Sequence, residues 1–355
     1  MTALDLAALP FDAARQKTLR FITRSSLVTR VVGRRKSRVA ILATVQVLTL
    51  FLIAVLFPVG MFFVGPMILG AAHLAADARY LVLRRRLPRG FVILSAASAT
   101  MIVALRSLEV LGVLHASVDA WETSAGALWI VSALIYAARD WRSARRALVV
   151  GGVFAGIFAV ALTHARLANV VMMHAHNVIG IATWVFLFQR RKLWELFPIV
   201  VLVAAVAVML SGAALPWAYH WGGAFAFGTH ITAIGRWLAP GLTPHASASV
   251  VTSFVFLQAV HYGVWLTWIP QEDLAGEGTP TFRMTLRGLV ADFGAVGCAL
   301  VALVVVGLAA VALFRIQSAL TWYITLSRFH GLLELAVIAF LVVRGGLPLS
   351  PSRRT

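Results

Sequence analysis

Apolar residues fall in successive long runs that are separated by short polar segments. Each run is close to the roughly 20 residues that an α-helix needs to cross a bilayer. The pattern predicts ten spans, at 39–58, 62–83, 90–112, 123–138, 147–163, 167–188, 193–213, 246–269, 288–314 and 318–343. The predicted fold class is therefore all-α, a polytopic membrane helical bundle of about ten spans.

This pattern divides the chain into three regions. Residues 1–38 form a basic cytoplasmic arm, amphipathic or disordered, that we expect to attract anionic lipid headgroups. The transmembrane bundle occupies residues 39–345, and residues 346–355 form a cytoplasmic tail. The outer loop 214–245 is rich in Trp and Gly and can dip back over the bundle as a lid.

Composition supports the membrane assignment. Hydrophobic residues make up 61% of the chain and charged residues 12%, with a mean hydropathy of +0.89, which excludes an ordinary soluble domain. Most of the 31 Lys and Arg residues lie between alternate apolar runs. This positive-inside pattern explains the net charge of +18 without a nucleic-acid partner. We expect an integral protein of the bacterial cytoplasmic membrane with both termini in the cytoplasm.

Several apolar runs contain a histidine that has a polar neighbour three or four residues away, and therefore on the same helix face. These pairs are His73 with Asp77, His174 with Asn177, Gln258 with His261, and His330 with Glu334. Ionisable groups at this depth are costly, so they indicate function. Metal-bound histidines commonly donate their second N–H to such neighbours, and the carboxylates could also bind metal directly. We predict that the four segments converge on one intramembrane histidine cluster that binds metal.

The sequence does not decide which of two neighbouring histidines binds the metal. His174 and His176 are two residues apart, so their side chains project roughly 200° from each other on a regular helix. Only one of them should bind the metal, and the nearby Asn177 favours His174.

Other polar and aromatic residues in the spans have predicted supporting roles. Arg106 and Glu109 share a face and should pair near the site. Arg328 should pair with Asp292 or bind a substrate carboxylate. The expected substrate cavity is lined by Tyr262, Trp265 and Tyr323.

The chemistry of these side chains narrows the function. Neutral imidazoles with carboxylates suit iron, zinc, copper or manganese, and non-haem iron is the first choice for oxygen chemistry. The single cysteine, Cys298, excludes a thiolate metal site within one chain. A site at this depth is reached by lipid-soluble molecules, so we expect an oxygenase acting on an apolar lipid or isoprenoid. Two alternatives remain: a haem-binding redox protein, and a proton-coupled transporter that uses the same His, Asp and Glu groups. The sequence has no Walker A loop, HExxH helix or GxSxG elbow.

Two short segments add a family resemblance. GAAHLAADARYL, which begins at Gly70, and FHGLLE near the C-terminus resemble the bacterial Brp/Blh family of membrane β-carotene 15,15′-dioxygenases. The resemblance implies a polytopic protein whose histidines hold non-haem iron and which cleaves a central carotenoid double bond with O₂. Carried onto this chain, it makes His73, His174 or His176, His261 and His330 the iron ligands.

Overall fold

The computed structural model describes residues 3–85, 87–115, 117–188, 192–223, 226–273 and 278–345. Within these ranges the protein consists of helices and contains no β-strand, so the predicted all-α bundle is confirmed. The α-helices in chain order are α1 Ala3–Ile22, α2 Ser26–Gly33, α3 Arg35–Leu56, α4 Pro58–Gly65, α5 Ala71–Asp77, α6 Arg89–Val110, α7 Asp119–Ala137, α8 Trp141–Thr163, α9 Ala165–Leu187, α10 Leu193–Leu210, α11 Leu215–Trp221, α12 Ile231–Leu238, α13 Pro244–Gly263, α14 Ile269–Glu272, α15 Phe282–Ser327 and α16 His330–Arg344.

Eight helical segments in the described part of the chain are long and apolar enough to cross a membrane. They are Arg35–Leu56, Pro58–Arg85, Arg89–Val110, Trp141–Thr163, Ala165–Leu187, Leu193–Leu210, Pro244–Glu272 and Phe282–Arg344. Helix α7, at the predicted span 123–138, is not among these eight, although it packs against α6, α8, α9 and α16. The figure of ten spans stays a prediction.

The last apolar segment is not one straight helix. Phe282–Arg344 covers 63 residues, about three times the length of one crossing. Its backbone leaves the helical conformation at Gly294, with φ of 72°, and at Arg315, with φ of −145°. Glycine adopts the first of these conformations at little cost because it has no Cβ. The second break lies between the predicted spans 288–314 and 318–343.

Helix α13 is the central element of the bundle. It contacts α3, α9, α10 and α12, and residues on every side of it are buried. An apolar helix buried all round belongs in the core, whereas α8 has a single buried residue, Ser143, and lies at the periphery. Helix α16 packs against α7, α8 and α9. The histidine-bearing helices α9, α13 and α16 are thus neighbours.

Three short π-helical segments interrupt the α-helical geometry near this core: Pro66–Gly70, Ala78–Val82 and Val264–Trp268. The first two flank α5, and the third directly follows α13. A π turn holds an extra residue and changes the face on which the next side chains project, and such turns are frequent at functional sites. They therefore adjust the direction of the side chains on α5 and at the end of α13.

The predicted arm and the predicted lid both contain helices. Helix α1 of the arm docks on the start of α15, where Asp12 accepts hydrogen bonds from the Phe282 backbone N–H at 2.7 Å and from Arg283 Nε at 2.9 Å. The loop 214–245 contains α11 and α12, and both pack on α13. The predicted tail, 346–355, lies outside the described residues.

Candidate metal centre

His73 occupies the most constrained of the histidine positions. It lies on α5 between two π-helical segments and is 0% exposed. Gly70, one turn earlier, makes room for a neighbouring aromatic ring, since a Cβ at this position would clash with the ring of Tyr323. Close packing around α5 thus holds the imidazole in place.

Four imidazole rings from four helices pack against one another in a chain of close ring contacts. The ring centre of His73 lies 5.3 Å from that of His261 and 5.0 Å from that of His330. The ring centre of His176 lies 5.1 Å from that of His261 and 4.8 Å from that of His330. The His261 and His330 ring centres are 6.0 Å apart. We call these four residues the histidine cluster.

These separations are the size expected of imidazoles that share one ion. A nitrogen bonded to a metal at about 2.1 Å places its ring centre roughly 3.2 Å from the ion, so neighbouring ligands have ring centres on the order of 5 Å apart. One ligand atom each from His73, Asp77, His261 and His330 lies within 4.8 Å of all the others. This buried group could hold a metal ion.

Two rings of the cluster each use one nitrogen to bond to a backbone carbonyl. His330 Nδ1 bonds to the Ser327 carbonyl, and His176 Nδ1 bonds to the Met172 carbonyl at 3.3 Å. These contacts favour hydrogen on Nδ1, which leaves Nε2 with a lone pair for a metal. His330 Nε2 is buried and has no hydrogen-bond partner among the described residues.

The other two rings have still fewer polar contacts. Both nitrogens of His73 and both nitrogens of His261 are buried and unpartnered in the part of the chain that the structure describes. The Gly70 carbonyl interacts electrostatically with His73 and the Asn177 carbonyl does so with His261, each without a hydrogen bond of normal geometry. Buried polar atoms are usually hydrogen-bonded, so a concentration of unpartnered nitrogens indicates a missing partner.

Two carboxylates complete the centre. Asp77 is 1% exposed, and neither of its oxygens has a hydrogen-bond partner within the described residues. Glu334 is 0% exposed, accepts a hydrogen bond from Trp265 Nε1 at 3.0 Å and lies 3.8 Å from His261 Nε2. Burying carboxylates in this way is costly unless a cation balances them. The donor set therefore fits a divalent metal.

The structure places the ring of His176, and not that of the favoured His174, against those of His261 and His330. His174 Nε2 bonds to the Leu238 carbonyl of α12 at 3.0 Å, and its ring packs on Phe254. Asn177 is fully buried, and its amide bonds to the Met173 carbonyl at 3.5 Å. His174 therefore faces α12 and α13 and not the histidine cluster, although Asn177 lies three residues away as the spacing predicted.

Of the three residues predicted to line the substrate cavity, only Tyr323 is among the described residues that line it. Tyr323 lines an apolar cavity and its hydroxyl lies 3.0 Å from that of Tyr262, whose ring centre is 4.5 Å from that of His73. Trp265 contacts Glu334 instead, as described above. Gln258, predicted to support His261, lines the cavity.

Arg106 and Glu109 pair at 2.8 Å, as predicted, but as part of a larger network. Arg106 also binds Asp119 and Glu122, and Arg328 binds Glu122 with Nη2 at 3.0 Å. We call these five residues the α7 ion-pair network. The predicted pairing of Arg328 with Asp292 is wrong, because Asp292 binds Arg79 at 2.6 Å and Arg84 at 2.9 Å.

Sequence reasoning missed Asp119, Glu122 and Asn169, which belong to or support this network. Asn169 donates to Asp119 at 2.8 Å. The available signal was that Arg106 and Arg328 both lie in apolar runs, where each needs a counter-ion. The acidic first turn of α7 supplies those counter-ions.

A cavity of about 490 Å³ adjoins the histidine cluster. It lies among α7, α8, α9, α13, α15 and α16, and His176 and His330 form part of its wall. Most of the other lining residues are apolar, including Phe154, Phe158, Leu167, Met172 and Leu332. A space of about 300–1,000 Å³ is typical of a small-molecule site.

No family model, no curated protein and no solved structure matches the chain.

Proposed function

We propose that the protein is a membrane-embedded oxygenase that uses histidine-bound non-haem iron to act on an apolar lipid or isoprenoid. The observation that carries this proposal is the buried cluster of imidazoles and carboxylates, with unpartnered ligand atoms, beside an apolar cavity. Nitrogen and oxygen donors without sulfur suit iron, and zinc or copper would fit the same donor types. Bound iron would supply the activation of dioxygen.

The residues of the centre have separate roles in this proposal. His73, His176, His261 and His330 hold the metal, and Asp77 supplies a further oxygen donor. Glu334 lies 3.8 Å from His261 Nε2 and accepts a hydrogen bond from Trp265, so it can supply a second oxygen donor. With neutral imidazoles the two carboxylates carry a formal charge of −2, which a divalent ion balances in a region of low dielectric constant.

The cavity determines which molecules can reach the centre. Its wall is mostly apolar and it reaches exposed residues of α8, among them Ile157 and Val160. An apolar molecule dissolved in the bilayer could enter there and displace water from the space next to His176 and His330. Carotenoid cleavage, which the Brp/Blh resemblance implies, is one form of this reaction.

The proposal also includes the cellular location of the protein and its orientation in the membrane. The long apolar helices indicate insertion in a membrane. We infer a bacterial cytoplasmic membrane with both termini on the cytoplasmic side. Helix α1 and the turn after it support this orientation, since they present Lys17, Arg20, Arg24 and the exposed ring of Phe21, a combination that suits anionic headgroups.

The test is elemental analysis and visible spectroscopy of the detergent-purified protein. We expect close to one equivalent of iron, lost in the double variant His73→Ala/His330→Ala. The matched control is His174→Ala, which removes a histidine from the same region of the bundle and should retain iron.

Three results would refute the proposal. Folded wild-type protein without metal after growth in iron-rich medium would remove the oxygenase and favour a proton relay. An intense Soret band would instead indicate haem. Loss of iron in His174→Ala with retention in the double variant would place the metal elsewhere.

A further inference from the structure

The cavity beside the histidine cluster has two chemically different ends. His176 and His330 line one part of the wall, and Glu122 and Asn169 line another, where the Arg328 side chain reaches Glu122. His176 and Asn169 both lie on α9, seven residues apart, which corresponds to about 10 Å along the helix axis. A molecule that spans the cavity therefore meets the metal centre and a polar site at opposite ends.

The polar end belongs to the α7 ion-pair network. The described residues of this network carry two guanidinium groups, on Arg106 and Arg328, and three carboxylates, on Glu109, Asp119 and Glu122. The formal charge of the network is therefore −1. A carboxylate or phosphate on a ligand would meet a net negative surrounding at low dielectric constant, where like charges repel strongly.

The same end can still donate hydrogen bonds. Arg328 binds Glu122 through Nε at 3.0 Å and Nη2 at 3.0 Å. A guanidinium has five N–H donors, so its other edge can donate to an oxygen in the cavity. Asn169 lines the same end, with its NH₂ held by Asp119. An uncharged oxygen that accepts a hydrogen bond fits these groups.

We propose that the substrate is amphipathic, an apolar chain that ends in a neutral oxygen group, with an alcohol as the best fit. The oxygen accepts from Arg328 and lies next to Asn169, while the chain passes the apolar wall toward His176 and His330. This inference rests on the proposed function for the identity of the reacting end. It predicts that the carbon beside the metal centre lies about 10 Å from the oxygen.

The test is equilibrium binding of a fluorescent polyene chain with different ends, measured on the full-length protein in nanodiscs of uncharged lipid. The probes are parinaryl alcohol, parinaric acid and the corresponding hydrocarbon. We expect the alcohol to bind at least about tenfold more tightly than the acid or the hydrocarbon, the size of a hydrogen bond from a charged donor. Equal binding of the three probes would overturn the proposal.

Variants locate the effect at the polar end. Arg328→Gln should lower the affinity for the alcohol about tenfold and leave that for the hydrocarbon unchanged. The matched control is Glu109→Gln, which alters the same network at a residue that does not line the cavity, and its alcohol affinity should stay within about twofold. If Arg328→Gln fails to fold, Asn169→Ala replaces it and should weaken alcohol binding severalfold. Unchanged alcohol affinity in the folded variant would overturn the proposal.

Iron analysis of the same samples separates this inference from the proposed function. Selective, Arg328-dependent binding of the alcohol in iron-free protein would support the polar site and refute the oxygenase. Iron-loaded protein that binds the three probes equally would refute the polar site and leave the oxygenase standing.

Discussion

Gly180 offers a way to disturb the proposed metal centre without removing any of the proposed ligands. It lies on α9, opposite His261 of α13, and a Cβ at this position would be 2.6 Å from His261 Nδ1 and 3.2 Å from Trp265 Nε1. The first distance is 0.8 Å shorter than the 3.4 Å at which ordinary contacts begin. Since His261 is 0% exposed, its ring can make room only by moving within the cluster.

The expected effect of Gly180→Ala on stability is small. Overpacking a core costs about 1–3 kcal/mol, and the better helix propensity of alanine offsets about 0.5–1 kcal/mol of that. The effect on metal binding should be larger. Metal–ligand distances tolerate errors of only about 0.2 Å, so a ring displaced by several tenths of an ångström binds poorly. Disturbing the groups that orient a metal-bound histidine typically lowers affinity about 10- to 100-fold, and we expect a loss in this range.

The assay is iron content after dialysis against increasing chelator concentrations, together with thermal unfolding of each sample. The matched control is Gly152→Ala on α8, where a Cβ would meet no atom within 4 Å. This control adds the same methyl group to an exposed helix position. If Gly180→Ala holds iron at the same chelator concentrations as Gly152→Ala, then the position of the His261 ring does not govern metal binding and the reasoning fails.

Three further predictions concern the supporting groups and the metal. Trp265→Phe removes the one hydrogen-bond donor that Glu334 has among the described residues and should lower the free energy of unfolding by about 1–3 kcal/mol, because it leaves a buried acceptor unpaired; an unchanged denaturation midpoint would contradict this. Removing iron with a chelator should lower the thermal midpoint, because the buried carboxylates lose their counter-ion; equal midpoints of the loaded and stripped protein would argue against metal at this centre. Asp140 caps α8 and accepts from the Ser143 N–H at 2.8 Å, which holds the pKa of Asp140 below its ordinary value. Its stabilising effect should therefore be present above the ordinary carboxyl pKa of 3.8 and should disappear as the pH falls through the lowered value, so thermal scans of wild type and Asp140→Ala should converge in acid; a constant difference would contradict the cap.

Much of the bundle follows from the sequence alone. Long apolar runs can satisfy their backbone groups in a membrane only as helices, so the all-α fold is determined by composition and pattern. The same-face spacing of His73 with Asp77 and of His330 with Glu334 also follows from helix geometry. These local features were enough to predict that an intramembrane cluster would contain imidazoles and carboxylates, because such groups are costly in the bilayer without partners.

Only the tertiary structure decided which residues meet. The choice between His174 and His176 depends on the rotation of α9 against α12 and α16, and a helix that is apolar on most sides does not encode that rotation locally. Helix spacing reveals the pair of Arg106 with Glu109, but it cannot reveal Asp119 and Glu122, the counter-ions that α7 supplies to Arg106 and Arg328. The direction of His73 and of the residues that follow His261 also depends on π turns whose extra residue shifts the helix face. Local periodicity predicts what each helix can present, whereas the packing of neighbouring helices determines what it faces.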